Sequence, residues 1–348
     1  KKLNIGIIST NPYENIISIF SVINIGCVPI PINRTDFFLS SKHFLKEFKI
    51  KIIVIGKNFR RIGKKFRIIK FNLSADKNKT YKDKLIYKKI KKDDTAIILL
   101  TSGTTGLKKG VMLSHNNLLT TTHYVNNFMK IKKNIVEYLM APLTNSFGFL
   151  RLRSILSNKG CLIIDSGFFN PLLMLRRLEK YNINSISGVP SSYKMLLSLP
   201  LSFLKKLRKN LIWSEIGSAS MQKEVKIKLL KLFPNVKIIY HYGLTEASRS
   251  TLINLRDESK NIETVGRAAP GVNLMICDNN KKVIKKRGVV GQIIIKGKNV
   301  AKGYFNLHSK AFEGNKFYSG DFGSINKNGY VTYYGRVDDV INVGGVKI

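Results

Sequence analysis

Over most of its length the chain alternates short apolar runs with longer amphipathic segments. Apolar runs of roughly four to eight residues bounded by turn residues are typical of buried strands. Such runs predict strands over residues 3–8, 28–32, 51–55, 95–100, 136–140, 161–164, 185–187, 211–215 and 236–240. The segments between them predict helices over residues 12–25, 36–48, 116–129, 146–157, 171–181, 190–199 and 221–233. This alternation predicts an α/β fold with layered, largely parallel sheets flanked by helices.

The pattern changes after about residue 253, where glycines and short β-prone runs dominate. Those runs cover residues 271–277, 291–295, 303–305, 317–319 and 329–334. Turn residues at 278–280 and 327–329 are typical of hairpins. We therefore predict α/β subdomains over residues 1–253 and a smaller β-rich, barrel-like subdomain over residues 254–334.

The 348 residues carry a net charge of +39, from 60 basic and 21 acidic side chains. Such a charge ordinarily suggests nucleic acid or an anionic surface as a partner. Here the basic residues are mostly lysine and are scattered from end to end, whereas a nucleic-acid footprint clusters on one face. A solvated surface is the favoured interpretation even of the densest runs, residues 57–70 and 82–92. We expect no nucleic-acid partner; a basic nucleic-acid-binding protein is kept as an alternative that predicts steeply salt-dependent binding.

The cysteines and the apolar segments indicate in which cellular compartment the protein is expected. Cys27, Cys161 and Cys277 are widely spaced and form no CxxC pair, so neither a disulfide framework nor a zinc site is implied. The sequence shows no signal peptide, and its apolar segment 16–32 is interrupted by asparagine, glycine and proline. We expect a cytoplasmic protein with reduced thiols and no transmembrane segment.

One loop carries the strongest chemical signal. An apolar run ends at Leu100, and residues 101–110 then hold four hydroxyl side chains, three glycines and two lysines, with a helix signal at Ser114. Strand, glycine–hydroxyl loop and helix together predict a phosphate site, because backbone N–H groups, hydroxyls and lysine all favour an anion. A Walker A loop is excluded, since its two glycines are spaced farther apart than Gly103 and Gly106. The alternative is a polar surface loop rich in threonine and glycine.

The order T-S-G-T-T-G-x-x-K-G resembles the phosphate loop of the adenylate-forming superfamily, which includes acyl-CoA synthetases, firefly luciferase and the adenylation domains of peptide synthetases. Lys108 stands where that family usually has proline, and Lys109 stays in register. The resemblance implies that Lys109 is catalytic and grips the β- and γ-phosphates of ATP. The loop residues that it implies around the nucleotide are Thr101, Ser102, Gly103, Thr104, Thr105 and Gly106.

Residues 240–246, Y-H-Y-G-L-T-E, resemble the family's aromatic-Gly-x-Thr-Glu signature. The resemblance implies that the ring of Tyr242 offers a flat face to adenine and that Gly243 lies beside the nucleotide. It also implies two catalytic groups, since Thr245 would offer its hydroxyl to the α-phosphate and Glu246 a hard oxygen to Mg²⁺. Taken alone, the motif is equally compatible with Tyr242 in the core and Glu246 as a solvated acid. The family turn whose backbone borders adenine is matched, less strictly, by Gly217, Ser218 and Ala219.

Residues 318–321, Y-S-G-D, resemble the family element whose aspartate accepts hydrogen bonds from both ribose hydroxyls, a role that falls to Asp321. The segment from Gly335 onward resembles the family's hinge, where Arg336 would contact ribose or phosphate and Asp338 would be the pivot. The resemblance implies that residues 335–348 form the hinge to a missing C-terminal domain. We therefore expect the chain to bind ATP or AMP but to catalyse poorly by itself.

The resemblance places the substrate, a small-molecule carboxylic acid, near Asn145, which replaces a histidine that often borders the carboxylate. Val189 and Pro190 would line the same tunnel. The resemblance gives no role to Arg249.

The implied activity is that of an ATP-dependent acid–thiol ligase. A carboxylate and Mg²⁺-bound ATP would give an acyl-adenylate and pyrophosphate, and the acyl group would pass to coenzyme A (CoA). Two alternatives stay open: the acceptor is the thiol of a carrier protein, or the chain is a non-catalytic nucleotide-binding remnant.

Overall fold

The computed structural model describes residues 2–58, 67–70, 90–102, 108–131, 133–165, 170–336, 342–343 and 346–347. The chain divides into two compact units. The first comprises residues 1–116 and 302–309, and the second comprises residues 117–301 and 310–348. Within the described part of the chain, no helix is long and apolar enough to cross a membrane.

A four-stranded parallel sheet forms the centre of the first unit. Its elements are β1 (Asn4–Ile8), α1 (Pro12–Asn24), β2 (Val28–Pro31), α2 (Arg34–Glu47), β3 (Ile50–Ile55) and β4 (Arg67–Lys70). The strand order is β2-β1-β3-β4, and all neighbours are parallel. One core cluster joins Ile30 and Ile53 to Phe37 of α2. Isoleucine-rich strands of this kind suit a sheet that is covered on its faces.

A hairpin follows in the first unit, formed by β5 (Thr95–Ser102) and β6 (Lys108–Ser114). The helix expected after the phosphate loop is present as α3 (His115–Met129), which begins directly after Ser114, and the strand β6, which was not predicted, lies between the loop and this helix. The buried side chains of Val111 and Leu113 give β6 an apolar face, which stabilises it as a strand. Gly110 lies against Phe48, since a Cβ atom there would come 2.4 Å from the phenylalanine ring.

A seven-stranded sheet organises the second unit. After α3 its elements are β7 (Val136–Met140), α4 (Ser146–Ser157), β8 (Cys161–Ile164), α5 (Pro171–Lys180), β9 (Ser185–Gly188), α6 (Pro190–Leu197), α7 (Leu201–Asn210), β10 (Trp213–Ile216), α8 (Lys223–Leu232), β11 (Lys237–Leu244), β12 (Ala247–Asn254), a 3₁₀ helix (Ser259–Asn261) and β13 (Arg267–Ala268). The strand order is β13-β12-β11-β10-β9-β7-β8. The strands from β11 to β8 are parallel, so their carboxyl ends share one edge of the sheet.

Two features of this sheet differ from the sequence-based expectation. The segment predicted as one helix over residues 190–199 ends at Leu197, and a second helix starts after Pro200, where proline interrupts helical hydrogen bonding. β12 has the polar sequence A-S-R-S-T-L-I-N, yet all its residues are buried between β11 and β13. Its polar side chains form hydrogen bonds within the protein. For example, Ser250 Oγ donates a hydrogen bond to the Ala247 carbonyl at 2.9 Å.

A six-stranded antiparallel sheet completes the second unit. Its strands are β14 (Val272–Cys277), β15 (Val283–Ile284), β16 (Gly291–Gly297), β17 (Phe312–Glu313), β18 (Lys316–Ile325) and β19 (Val331–Arg336); the short strands β20 (Asn342–Val343) and β21 (Val346–Lys347) pair with each other. Ile293 and Ile295 of β16 share one core cluster with Ile216 and Ile253 of the seven-stranded sheet. The predicted fold class, α/β with an additional β-rich part, is confirmed.

Candidate functional site

A cavity of about 190 Å³ lies where β10 and β11 end. It is lined by the turn after β10, the end of β11 and residues of β18 and β19. The lining residues are Ser218, Ala219, Ser220, Tyr240, His241, Tyr242, Gly243, Leu244, Val265, Asp321, Tyr333 and Arg336. Residues from four separate sequence motifs therefore meet around one space, at the kind of sheet edge where α/β proteins bind ligands.

The carboxylate of Asp321 is the charged centre of this cavity. Antiparallel register sets Asp321 opposite Arg336, and the arginine Nε lies 3.7 Å from Asp321 Oδ1. Tyr242 Oη donates a hydrogen bond to Asp321 Oδ2 at 2.6 Å. Burial, followed by the adjacent carboxylate, raises the pKa of Tyr242 well above its usual value, so the phenol stays protonated and remains a donor. A carboxylate that is 3% exposed and held this way is a strong acceptor for neutral hydroxyl groups.

The turn after β10 is tightly packed against His241. A Cβ atom at Gly217 would lie 2.1 Å from the imidazole Cε1 and Nε2 atoms, so only glycine allows this approach. Ser218 has a φ of 72°, a left-handed conformation that costs energy in a non-glycine residue. The phenol of Tyr240 fixes the rest of the turn, since it donates to the Ala219 carbonyl at 3.1 Å and accepts from the Met221 N–H at 3.2 Å.

Thr245 and Glu246 form the tight turn between β11 and β12, directly after the cavity-lining residues. The Glu246 carbonyl accepts a hydrogen bond from the Ala301 N–H at 2.8 Å, which anchors the turn. Close packing requires glycine at position 243, where a Cβ atom would lie 2.4 Å from the Arg249 nitrogen. One carboxylate in this place fits an Mg²⁺ ion, because that ion commonly takes one or two carboxylates and completes its shell with phosphate and water.

The phosphate-loop motif lies in the first unit. Thr101 and Ser102 end β5 and Lys109 belongs to β6, while Gly103, Thr104, Thr105 and Gly106 lie outside the described residues. Lys109 Nζ is 5.3 Å from the centre of the Tyr304 ring. Lys108 Nζ lies 3.5 Å from Asp36 Oδ2. The two neighbouring lysines therefore have different surroundings. Asp338, the expected pivot, also lies outside the described residues.

The residues expected around the carboxylic acid follow two adjacent parallel strands of the second unit. Asn145 is exposed and precedes α4, after the end of β7. Val189 and Pro190 follow β9 directly, and Pro190 begins α6. Both segments start from the carboxyl edge of the sheet, as the turn at 217–219 also does.

Sequence reasoning missed a buried charge cluster formed by Glu137, Arg151, Glu215, His241 and Arg249. Arg151 binds Glu137 through two hydrogen bonds of 2.7 and 3.0 Å, and its other terminal nitrogen lies 2.9 Å from Glu215 Oε2. Arg249 Nε donates to Glu215 Oε1 at 2.9 Å, and His241 Nδ1 lies 3.0 Å from the same oxygen. The available signal was a charged residue inside an otherwise apolar strand or helix, as at Glu137 and Arg151.

The charges of the cluster balance when His241 is neutral, since the two glutamates then face the two arginines. Burial raises the pKa of Glu215, but Arg249 and Arg151 outweigh it and hold this pKa well below the usual value. Burial, together with the charge of Arg249, lowers the pKa of His241 to about 4. The imidazole is therefore uncharged near neutral pH.

We expect this histidine to make the folded chain acid-sensitive. Because its pKa is about 4 when folded and about 6.5 when unfolded, the unfolded chain binds more protons between those values. Stability is therefore fully present above pH 6.5 and falls as the pH approaches 4, by about 2 kcal/mol between pH 7 and pH 5. Urea denaturation at both pH values measures this loss. The variant His241→Gln should lose correspondingly less between the two, whereas an equal loss in both proteins would contradict this role.

Comparison with known proteins gives a consistent result. Residues 1–305 match the model of a family described as AMP-binding enzyme. A D-alanine–D-alanyl carrier protein ligase of Lactococcus lactis is 34% identical over 276 residues, covering 75% of this chain and 52% of the relative. An oxalate–CoA ligase of Saccharomyces cerevisiae is 32% identical over 269 residues, covering 73% of this chain and 47% of the relative. The chain thus spans about half the length of these curated relatives.

A solved structure has the same fold over the whole chain. The crystal structure of ATP-bound MatB from Rhodopseudomonas palustris superposes with a TM-score of 0.87 at 25% sequence identity. The match covers 100% of this chain and 71% of that protein.

Proposed function

Because the chain belongs to the AMP-binding enzyme family, we propose that it binds ATP and serves in the activation of a small carboxylic acid as an acyl-adenylate. In that reaction a carboxylate oxygen attacks the α-phosphorus and forms a new P–O bond, while the bond between the α-phosphorus and the oxygen bridging to the β-phosphorus breaks and pyrophosphate leaves with its electrons. No side-chain nucleophile is needed, so the protein's task is to position the reactants and to neutralise charge. The observation that carries the proposal is the cavity where Tyr242, Asp321 and Arg336 meet the turn at 217–219.

The nucleoside half of ATP suits this cavity chemically. Asp321 supplies a buried carboxylate for the two ribose hydroxyls, and Arg336 supplies a cation beside it. Tyr242 offers a ring face for adenine, and the backbone of Ser218 and Ala219 offers hydrogen-bonding groups along its edge. In the proposal Thr245 contacts the α-phosphate and Glu246 is the protein ligand of Mg²⁺, which would supply charge neutralisation for the leaving pyrophosphate.

The acceptor of the acyl group belongs to the same proposal. The names of the relatives give different acceptors, since one relative is a carrier protein ligase and another is a CoA ligase. We propose a thiol acceptor, with CoA as the first candidate and a carrier-protein thiol as the alternative. Incubation with ATP, the acid and either thiol, followed by mass spectrometry of the thioester, separates the two. Formation of an acyl-adenylate with neither thiol consumed would contradict both.

Replacing Lys109 by alanine should weaken ATP binding about 10- to 100-fold and leave AMP binding within twofold, because a charge-assisted contact to phosphate contributes about 1.5–3 kcal/mol. The reason is that Lys109 is proposed to contact the β- and γ-phosphates, which AMP lacks. Titration calorimetry with both nucleotides makes the measurement. Lys108→Ala is the matched control, since this lysine lies beside Asp36 and should change neither affinity. Equal losses for ATP and AMP in Lys109→Ala would show that the loop is misassigned.

The proposed function as a whole is tested by ATP–pyrophosphate exchange with a panel of carboxylic acids, alongside calorimetric AMP binding. Acid-dependent exchange, or saturable AMP binding that competes with ATP, is the expected result. A folded chain that binds neither nucleotide would overturn the proposal.

A further inference from the structure

A buried lysine packs behind one wall of the cavity, and no step of the proposed reaction uses it. Lys226 of α8 is 2% exposed. Its Nζ atom donates hydrogen bonds to the Ile262 carbonyl at 2.7 Å and to the Thr264 carbonyl at 3.4 Å, and it lies 4.0 Å from the centre of the Tyr240 ring. The three N–H groups of the ammonium are thus directed to two carbonyls and one ring face.

The charge of Lys226 is not balanced by an ion pair. Among the residues that the structure describes, none offers it a carboxylate within ion-pair distance, and Glu263, whose negative charge acts on it, pairs with Lys223 at 3.1 Å. Burial outweighs Glu263 and lowers the pKa of Lys226 to about 8. Burial also raises the pKa of Tyr240 to about 12, so the phenol stays neutral. The ammonium is therefore held by neutral groups, and it loses its proton in mildly alkaline solution.

The groups that Lys226 contacts belong to two sides of the cavity. Tyr240 lines the cavity and anchors the turn after β10, in which Ser218 has the strained φ of 72°. Thr264 directly precedes Val265, another lining residue. A strained turn keeps its conformation only where its surroundings hold it. One ammonium thus links the ring that anchors this turn to the segment that carries Val265.

We propose that Lys226 is a positioning residue for adenine, which holds the Tyr240 ring and the segment at residues 262–265 so that the turn after β10 and Val265 stand where the base requires them. This inference rests on the proposed function, because it takes the cavity to hold the nucleoside. An ammonium is attracted to a ring face and donates charge-assisted hydrogen bonds, whereas a neutral amine has neither advantage. Adenine binding and protonation of Lys226 are therefore coupled, and each favours the other.

The coupling is measured by calorimetry of AMP binding to the 348-residue chain. AMP suits this experiment because the second pKa of a phosphate monoester is about 6, so its phosphate is already ionised at pH 7.5. If the neutral lysine supports binding about tenfold less well, the affinity should fall about fourfold between pH 7.5 and pH 9. At pH 8 about 0.4 of a proton should be taken up per AMP, as titrations in buffers of different ionisation enthalpy reveal. Constant affinity without proton uptake would overturn the inference.

Replacement of Lys226 by methionine separates this role from a purely structural one. Lys226→Met removes the charge from a side chain of similar length, so it should weaken AMP binding about tenfold at pH 7.5 and abolish both the pH dependence and the proton uptake. Lys228→Met is the matched control, because Lys228 is exposed on the same helix, and it should behave as the unmodified chain does in all three measurements. Proton uptake that persists in folded Lys226→Met protein would contradict the assigned role.

Should Lys226→Met not fold, the pH series and the proton uptake of the unmodified chain decide the question. A folded unmodified chain that binds no AMP at any pH refutes the proposed function, and this inference with it. AMP binding that is independent of pH refutes this inference alone.

Discussion

Replacement of Asp321 by alanine is expected to weaken AMP binding by about 10²- to 10⁴-fold, because two charge-assisted hydrogen bonds to ribose would be lost at about 1.5–3 kcal/mol each. The carboxylate is buried, and its position is fixed by Tyr242 and by the register with Arg336. Asp321 is the single carboxylate among the described residues that line this cavity. Titration calorimetry with AMP measures the effect.

Asp278→Ala provides the matched control for this experiment. Asp278 belongs to the same antiparallel sheet region but caps a turn, where its Oδ1 accepts from the N–H groups of Asn280 and Lys282 at 2.9 Å. This variant should bind AMP within twofold of the unmodified chain. Circular dichroism melting of both variants separates a binding defect from unfolding. A folded Asp321→Ala protein with unchanged AMP affinity would exclude the assigned ribose contact.

Replacement of Arg249 by methionine is expected to lower the free energy of unfolding by about 3–5 kcal/mol, since it leaves the charge cluster with an uncompensated buried carboxylate. That loss is a large share of the roughly 5–15 kcal/mol that stabilises a typical domain. The surface pair of Lys206 and Glu179 offers a matched control. Both partners are about half exposed, so Lys206→Met should change stability by less than about 0.5 kcal/mol.

The double variant Glu215→Gln/Arg249→Met tests whether charge imbalance is the cause. It keeps the paired Glu137 and Arg151 and removes one charge of each sign, so it should recover part of the stability lost in Arg249→Met. Chemical denaturation of the four proteins in the cycle measures the coupling. A double variant as unstable as the sum of its single variants would mean that the loss comes from packing and not from charge.

β7 and β8 could be predicted from the sequence because each is a short, mostly apolar run between turn residues. The predicted strands at 136–140 and 161–164 coincide with β7 and β8. β7 is buried at four of its five positions, as expected for a strand inside a parallel sheet, whereas β8 lies at the edge and begins with the exposed Cys161. The later strands were also visible as short β-prone runs.

Elements whose stability comes from their neighbours could not be predicted in this way. β12 is polar in sequence and is a strand because β11 and β13 supply its hydrogen bonds. β6 contains the lysines of the phosphate motif, and its pairing with β5 makes it a strand between the loop and the helix that the signal at Ser114 predicts. In both segments tertiary hydrogen bonding decides the conformation, which local patterns do not record.

The candidate site could also be predicted only in part from the sequence. The motifs named Tyr242, Asp321 and Arg336 separately, and the sheet register explains how the last two come to face each other. The charge cluster depends on side chains from α4, β7, β10, β11 and β12 that meet only in the fold. No role could be predicted for Arg249 from the sequence, because its partner, Glu215, lies on a different strand.

The central claim, that this chain binds an adenine nucleotide in the cavity around Tyr242 and Asp321, is tested most directly by a crystal structure with AMP. The account predicts adenine against the Tyr242 ring and both ribose hydroxyls within about 3.2 Å of the Asp321 carboxylate. AMP bound elsewhere on the chain, with this cavity empty, would contradict it.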